Sequence, residues 1–543
     1  MRERLTSSPV LAGIGVSAGA LALYLSTIAP TLTWGYLARG VDGGELLAAA
    51  NTFGVPHPPG YPTYTLLLKL FATIMPVGDF AFRGNLMSAL AATGSVAMLY
   101  AVVLRFCGYM WPVGPRSLRT VSAALGAGVF AASPLFWSQS IITEVYTLNT
   151  LFAGMLLLIA ARLALPTEPR GEGSPRNMLV LFGLVLGLGL GNHLTLLAVA
   201  VPLALWVAAS LGWRNVASVW PVLALVVGLS IYVYLPISAS QEPPVNWGNA
   251  DTVGGIAWML SGRVYQEHVF GVPSGAIGGR VRDWADLSFD QFNPMGIFFG
   301  LVGAASLRTR QRWFLAASLA SIAIVSVYSI TFNTIDASVL TIPAFMVFSI
   351  WIGVGFYAVI SNLSEWVSQA KESAQRAVLK FVTNRTVLAL SIIGALAMPI
   401  SSVILNYDDQ NLRSDRRAFE YAKTVIDSVP DGSVVVSARE TTAFSMWYMR
   451  YAEETDRDVA PIASPLLQFD WYWRNLNARF PDRFPADGPT DIALAVKRIV
   501  EHNDGRAGVY FTYLDVLLPG VDLEEITQLG PGPLYKASLR AAP

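Results

Sequence analysis

The chain has 543 residues, 53% of them hydrophobic and only 14% charged, whereas soluble domains carry about 25% charge, so much of its surface belongs in lipid. Its net charge of zero excludes a nucleic-acid binder that relies on a broad basic face. The single cysteine, Cys107, excludes a disulfide framework and a thiolate metal cluster.

Arg2 and Arg4 precede an apolar run from Val10 to Ile28 that resembles a signal peptide. No cleavage site follows it and many more apolar runs do, so it reads as a retained anchor. A membrane span needs about 20 mainly apolar residues. Eleven candidates follow in order: 9–29, 83–104, 119–136, 147–164, 178–191, 194–211, 216–236, 294–307, 313–332, 339–361 and 386–404. With the N-terminus in the cytoplasm, sixteen Lys/Arg fall on inner segments, including Arg2, Arg4, Arg170, Arg376 and Lys380. Only six, including Arg39, fall outside. That asymmetry sets the orientation and places the C-terminus outside. The cell envelope, as a multi-pass plasma-membrane protein, is the expected location.

Two long loops, 30–82 and 237–293, then face outward. Within the first, 44–52 and 62–75 carry helical apolar patterns expected to lie along the membrane. Residues 1–404 are thus expected to form the transmembrane domain, and 405–543 a small extracytoplasmic α/β domain. In that tail, Arg417–Val429 and Asp491–Asn503 read as helices, and Ser433–Ser437 and Gly508–Thr512 as strands. The tail has no glycine-rich phosphate loop, so no catalysis is assigned to it. Trp447-Tyr448 and Trp471-Tyr472-Trp473 offer either a sugar-binding face or core and docking contacts.

No acid falls in the middle of an expected span. Instead Asp42, Glu45, Glu144 and Asp336 gather at outer ends, and His57, His193 and His268 map to the same side. Ionisable groups near lipid depth are expensive and mark functional sites. Asp42 and Glu45, three apart, share one face if helical. His57-Pro58-Pro59-Gly60-Tyr61-Pro62 cannot continue a helix, because its prolines lack donors and fix φ. It forms a corner that presents an imidazole and a phenol. The bland alternative makes Asp42 a helix cap and Glu45 a carboxylate at the positive helix end.

Three strings occur in order: Asp42-x-x-Glu45 followed by HPPGYP; Gly191-Asn192-His193-Leu194-Thr195; and Tyr234-Leu235-Pro236-Ile237 before Pro244-Val245-Asn246-Trp247-Gly248. Together they resemble a family of polytopic membrane proteins whose animal members are transmembrane protein 260-type protein O-mannosyltransferases, within the GT-C superfamily. The resemblance spans roughly residues 30–340. It implies a GT-C-like helical fold and an essential acid in the first outer loop. Where the family has a serine after the first acid, this chain has Gly43.

The resemblance implies transfer of a hexose, with mannose among the candidates, from a polyprenyl- or dolichyl-phosphate donor. The acceptor is a protein, glycan or lipid outside the cytoplasm. A lipid phosphate is a good leaving group, so the reaction needs a base for the acceptor hydroxyl and positive charge for the phosphate. Asp42 is the expected base, Glu45 its orienting partner, and single displacement inverts the anomeric centre. Arg263 is the first choice for phosphate, ahead of Arg280, Arg282 and Lys69, because an Arg fork suits phosphate. His57, Tyr61, His193, Asn246, Trp247, Asn333 and Asp336 complete the expected donor site. No metal is required on this reading, although Asp42, Glu45 and His57 leave a divalent cation open. Membrane lipids are expected neighbours. The rivals are a flippase or transporter, which should show a midplane site and paired broken helices, and a non-catalytic scaffold.

Overall fold

The computed structural model describes residues 8–38, 40–166, 174–372, 384–453, 455–486, 488–513, 518–529 and 532–540. Arg2, Arg4, Arg39, Arg170, Arg376 and Lys380, counted in the charge asymmetry, lie outside them. Apolar composition produces long helices throughout the N-terminal three quarters. Eight helices among the described residues are long and apolar enough to cross a membrane. A ninth is the pair Arg116–Ala131 and Pro134–Ser140, bent by 68°, where Pro134 cannot continue the first ladder.

The two shortest expected spans are helical but fall outside that set. Pro175–Leu190 has 16 residues and packs along Val219–Leu229. A Cβ on Gly187 would lie 2.8 Å from the Gly228 Cα, a backbone approach that only small residues permit. The 294–307 segment is the second half of Ile277–Arg310, which breaks at Asn293 before Pro294.

The tail forms a five-stranded sheet: β1 Val434–Ser437, β2 Ala460–Ala463, β3 Val509–Tyr513, β4 Val521–Leu529 and β5 Gly532–Leu539. Its order is β2-β1-β3-β5-β4. β1 pairs parallel with β2 and β3, while β5 pairs antiparallel with β3 and β4. Helices Arg417–Ser428 and Ile492–His502 stand where the sequence pattern put them; β2, β4 and β5 had no such signal.

This sheet domain is locked onto the first and second long loops. The Thr33 hydroxyl donates to Asp415 at 2.7 Å, and the Trp34 indole donates to the Thr441 carbonyl at 3.1 Å. The Asn51 amide donates to the Tyr451 carbonyl at 3.0 Å. Trp471 tilts against Trp247 with ring centroids 5.5 Å apart, and the Asn475 amide donates to the Asn246 carbonyl at 2.6 Å. Trp447, Tyr448, Trp471, Tyr472 and Trp473 are all buried, so these aromatics serve core and docking.

The helix Gly43–Thr52 therefore does not lie on lipid. Residues Gly43 to Ala50 are buried, between the turn before Tyr146 and the helix Glu440–Tyr451. The contact is backbone on backbone: a Cβ on Gly44 would sit 2.3 Å from the Phe444 carbonyl oxygen. Gly44→Val is expected to destabilise the chain by about 1–3 kcal/mol through overpacking. Thermal unfolding of the full chain in lipid nanodiscs reads this as a lowered midpoint; an unchanged midpoint would contradict the packing.

Candidate active site

Asp42 occupies the N-cap position of Gly43–Thr52, yet its side chain makes no capping bond. Its carboxylate instead lies 3.7 Å from His57 Nε2, so the bland capping role does not describe it. Glu45 is turned one helical step away and is 0% exposed. It accepts from the His57 backbone N–H at 3.0 Å and meets His57 Nδ1 at 2.5 Å. The proline corner makes this possible. Leaving the helix at Phe53, which has a left-handed φ of 51°, the chain returns His57 over the helix start. Tyr61 is also left-handed, at φ 40°, a costly conformation for a bulky residue. Its hydroxyl bonds His57 Nε2 at 2.9 Å.

The electrostatics follow from this geometry. Burial alone would lower the His57 pKa, but the Glu45 and Asp42 carboxylates outweigh it and raise it to about 9. His57 is therefore an imidazolium at neutral pH. Burial raises the Asp42 pKa, His57 opposes the rise, and Asp336, Glu45 and Glu440 add to it; the result is about 7. A quarter of the Asp42 side chain stays accessible. The group is thus desolvated by surrounding protein and still open to a substrate.

His193 is brought against Tyr61, with ring centroids 5.9 Å apart. Its Nδ1 accepts from the Thr195 backbone N–H at 3.2 Å. Burial and the His57 charge lower its pKa to about 4, so it is a neutral imidazole. Asn246 and Trp247 are also adjacent: strand-like bonds join Val55 to Val245 and Trp247, and the Trp247 ring stands 6.1 Å from His57. Both residues are buried and tie the site to the sheet domain. Asp336 acts on Asp42 through its charge. Asn333 is exposed, and its backbone N–H bonds the His268 carbonyl.

Arg263 is exposed, and its side chain makes no hydrogen bond or ion pair with any described residue. Arg280 donates to the Phe332 carbonyl at 2.7 Å, and Lys69 holds Asn51 at 2.9 Å; both are engaged in structure. Three further groups belong to the site but had no role assigned to them from the sequence. Tyr265, two residues after Arg263, places its ring 6.0 Å from His57. Glu144 is buried, with its Oε2 lacking a partner; burial pushes its pKa well up, and the Asp42 and Asp336 charges add to the rise. Glu440 comes from the sheet domain. The clustering of acids at outer ends already pointed to Glu144; nothing in the sequence pointed to Glu440.

Asp42, Glu45 and His57 offer donor atoms within 4.8 Å of one another, a spacing compatible with a divalent cation. As an imidazolium, however, His57 has no free nitrogen lone pair, so the trio fits a metal only if His57 first loses its proton.

Fold and site define a polytopic membrane protein with a site where its helices meet the sheet domain. ArnT from Cupriavidus metallidurans, solved with undecaprenyl phosphate, has the same fold: TM-score 0.55 at 12% identity, over 98% of this chain and 99% of ArnT. The Archaeoglobus fulgidus oligosaccharyltransferase in complex with Zn and sulfate matches with TM-score 0.50 at 14% identity, over 82% of this chain and 62% of its own.

In sequence, residues 42–217 match the protein O-mannosyl-transferase TMEM260 N-terminal domain. Mouse protein O-mannosyl-transferase TMEM260 is 26% identical over 494 residues, covering 87% of this chain and 66% of the mouse protein. The Dictyostelium discoideum counterpart is 24% identical over 490 residues, covering 83% of this chain and 57% of that protein. The match therefore spans less than two thirds of the length of either relative.

The buried pair makes a pH-dependent contribution with a definite sign. Because the folded His57 pKa is raised to about 9, its stabilisation is complete below the unfolded value near 6.5 and is lost as pH rises through 9. NMR titration of wild type should show His57 protonated at pH 7.5, and Glu45→Gln should lower its pKa. An unchanged His57 pKa in that variant would refute the pairing.

Proposed function

We propose that this chain is a lipid-phosphate-sugar-dependent glycosyltransferase. It moves a hexose, mannose being the first candidate, from a polyprenyl- or dolichyl-phosphate donor to an extracytoplasmic acceptor. Protein O-mannosyl-transferase relatives and a fold shared with an undecaprenyl-phosphate-bound protein support this reading. The observation that carries it is the Asp42 carboxylate: free of capping, partly accessible and beside an imidazolium. The orientation that fits puts the N-terminus in the cytoplasm and the site and sheet domain outside, in the plasma membrane.

In the step we propose, Asp42 takes the proton of the acceptor hydroxyl. The acceptor oxygen attacks the anomeric carbon as the bond to the phosphate oxygen breaks, and the leaving polyprenyl phosphate keeps the electron pair. A base with a pKa near ambient pH suits this task. Glu45 acts as a positioning residue, holding His57 in place and charged. His57, through Tyr61, and the unengaged Arg263 supply positive charge and a donor for the phosphate. His193 presents a neutral imidazole to the same space, and Asn246, Trp247, Asn333 and Asp336 frame it. One displacement with one base inverts the anomeric centre. We assign the step no metal, because the His57 proton competes with one. A transporter would place its ionisable groups near mid-membrane, whereas here they cluster beside the sheet domain.

Radiolabelled sugar transfer by the full chain in lipid nanodiscs tests this, with a panel of polyprenyl-phosphate sugars and envelope acceptors. Asp42→Asn should lower kcat about 100-fold or more. Since Asp42 works deprotonated, wild-type kcat should rise with pH through about 7. Equal transfer by wild type and Asp42→Asn would remove Asp42 from the chemistry.

A further inference from the structure

The chemistry above leaves the sheet domain without a part, yet that domain delivers a carboxylate to the cleft. Two constraints lock the helix Glu440–Tyr451 beside the base. Gly44 and the Phe444 carbonyl meet backbone to backbone. The Trp34 indole donates to the Thr441 carbonyl at 3.1 Å and to the Ser445 hydroxyl at 3.0 Å. Trp34 also closes a turn with Gly40, whose N–H reaches the Trp34 carbonyl at 2.9 Å, and that turn runs directly into Asp42. The first residue of the helix, Glu440, is thereby carried to the rim of the Asp42 site.

At this rim Glu440 is exposed, and its side chain makes no hydrogen bond or ion pair with any described residue. Its charge acts on Asp42, His57 and Tyr265. Burial raises its own pKa, and His57, Glu45, Asp336 and His268 act on it in turn. An ionised carboxylate accepts hydrogen bonds and donates none. Its bonding capacity is unspent, so it is free for a substrate. A lipid phosphate is anionic and would be repelled, which leaves the acceptor.

We propose that Glu440 is a specificity-determining residue for the acceptor, accepting from N–H or O–H groups that flank the reacting hydroxyl. The sheet domain thus completes the cleft. This rests on the transferase reading above.

The test is steady-state transfer by the full chain in nanodiscs, varying donor and acceptor separately, for wild type, Glu440→Gln and Glu440→Ala. Loss of a hydrogen bond to a charged group should raise the acceptor KM about tenfold in Glu440→Ala. The isosteric Glu440→Gln keeps an acceptor oxygen and should show a smaller rise. Donor KM and kcat should stay within about twofold of wild type in both variants. If wild type transfers and Glu440→Ala keeps its acceptor KM, the Glu440 assignment fails alone. If kcat falls in both variants with acceptor KM unchanged, Glu440 acts on the base instead and the assignment also fails. A wild type that transfers from no donor overturns the transferase reading, and this proposal with it.

Discussion

The buried pair of Glu45 and His57 is the interaction on which the rest of the site depends. A carboxylate with no exposed surface is tolerated only when its charge is balanced and its oxygens are bonded. His57 meets both conditions at once, with its backbone N–H on one oxygen and its ring on the other. To reach that position the chain must turn back within twelve residues, which the proline-rich corner and the left-handed Tyr61 accomplish. Because Glu45 holds His57 charged, His57 in turn can steady Asp42 without capping its helix. The strain at Tyr61, the burial of Glu45 and the free carboxylate of Asp42 are thus one construction.

The second constraint is the close approach at Gly44. Without it the sheet domain would stand off the first loop, and Glu440 would not reach the cleft. The Trp247–Trp471 contact and the Asn475–Asn246 bond pin the opposite edge. A membrane domain built from lipid-stable helices and a water-stable sheet therefore share one site, which neither surrounds alone.

Much of this was legible in the sequence. Hydropathy located the helices, because a lipid-facing helix must be apolar along its length. Asp42, Glu45, His57 and Tyr61 stood out because acids and a triple-proline corner are improbable beside a span. His193 was marked by its string and does lie against Tyr61. The limits were tertiary. Asn246 and Trp247 read as sugar contacts from sequence; the structure also gives them docking partners more than 200 positions later, which no local pattern encodes. Glu440 carries no motif; only the Gly44 contact gives it meaning. β4 escaped notice because its middle residues face solvent on both sides of the pleat, which erases the alternation that normally marks a strand.

The most direct measurement is a cryo-EM structure of the full chain in lipid nanodiscs with a non-hydrolysable polyprenyl-phosphate sugar analogue. The expected result has the anomeric carbon before the Asp42 carboxylate, the phosphate toward His57, Tyr61 and Arg263, and the Glu45–His57 pair intact. A headgroup bound elsewhere on the chain, or a site in which Glu45 and His57 have separated, would contradict it.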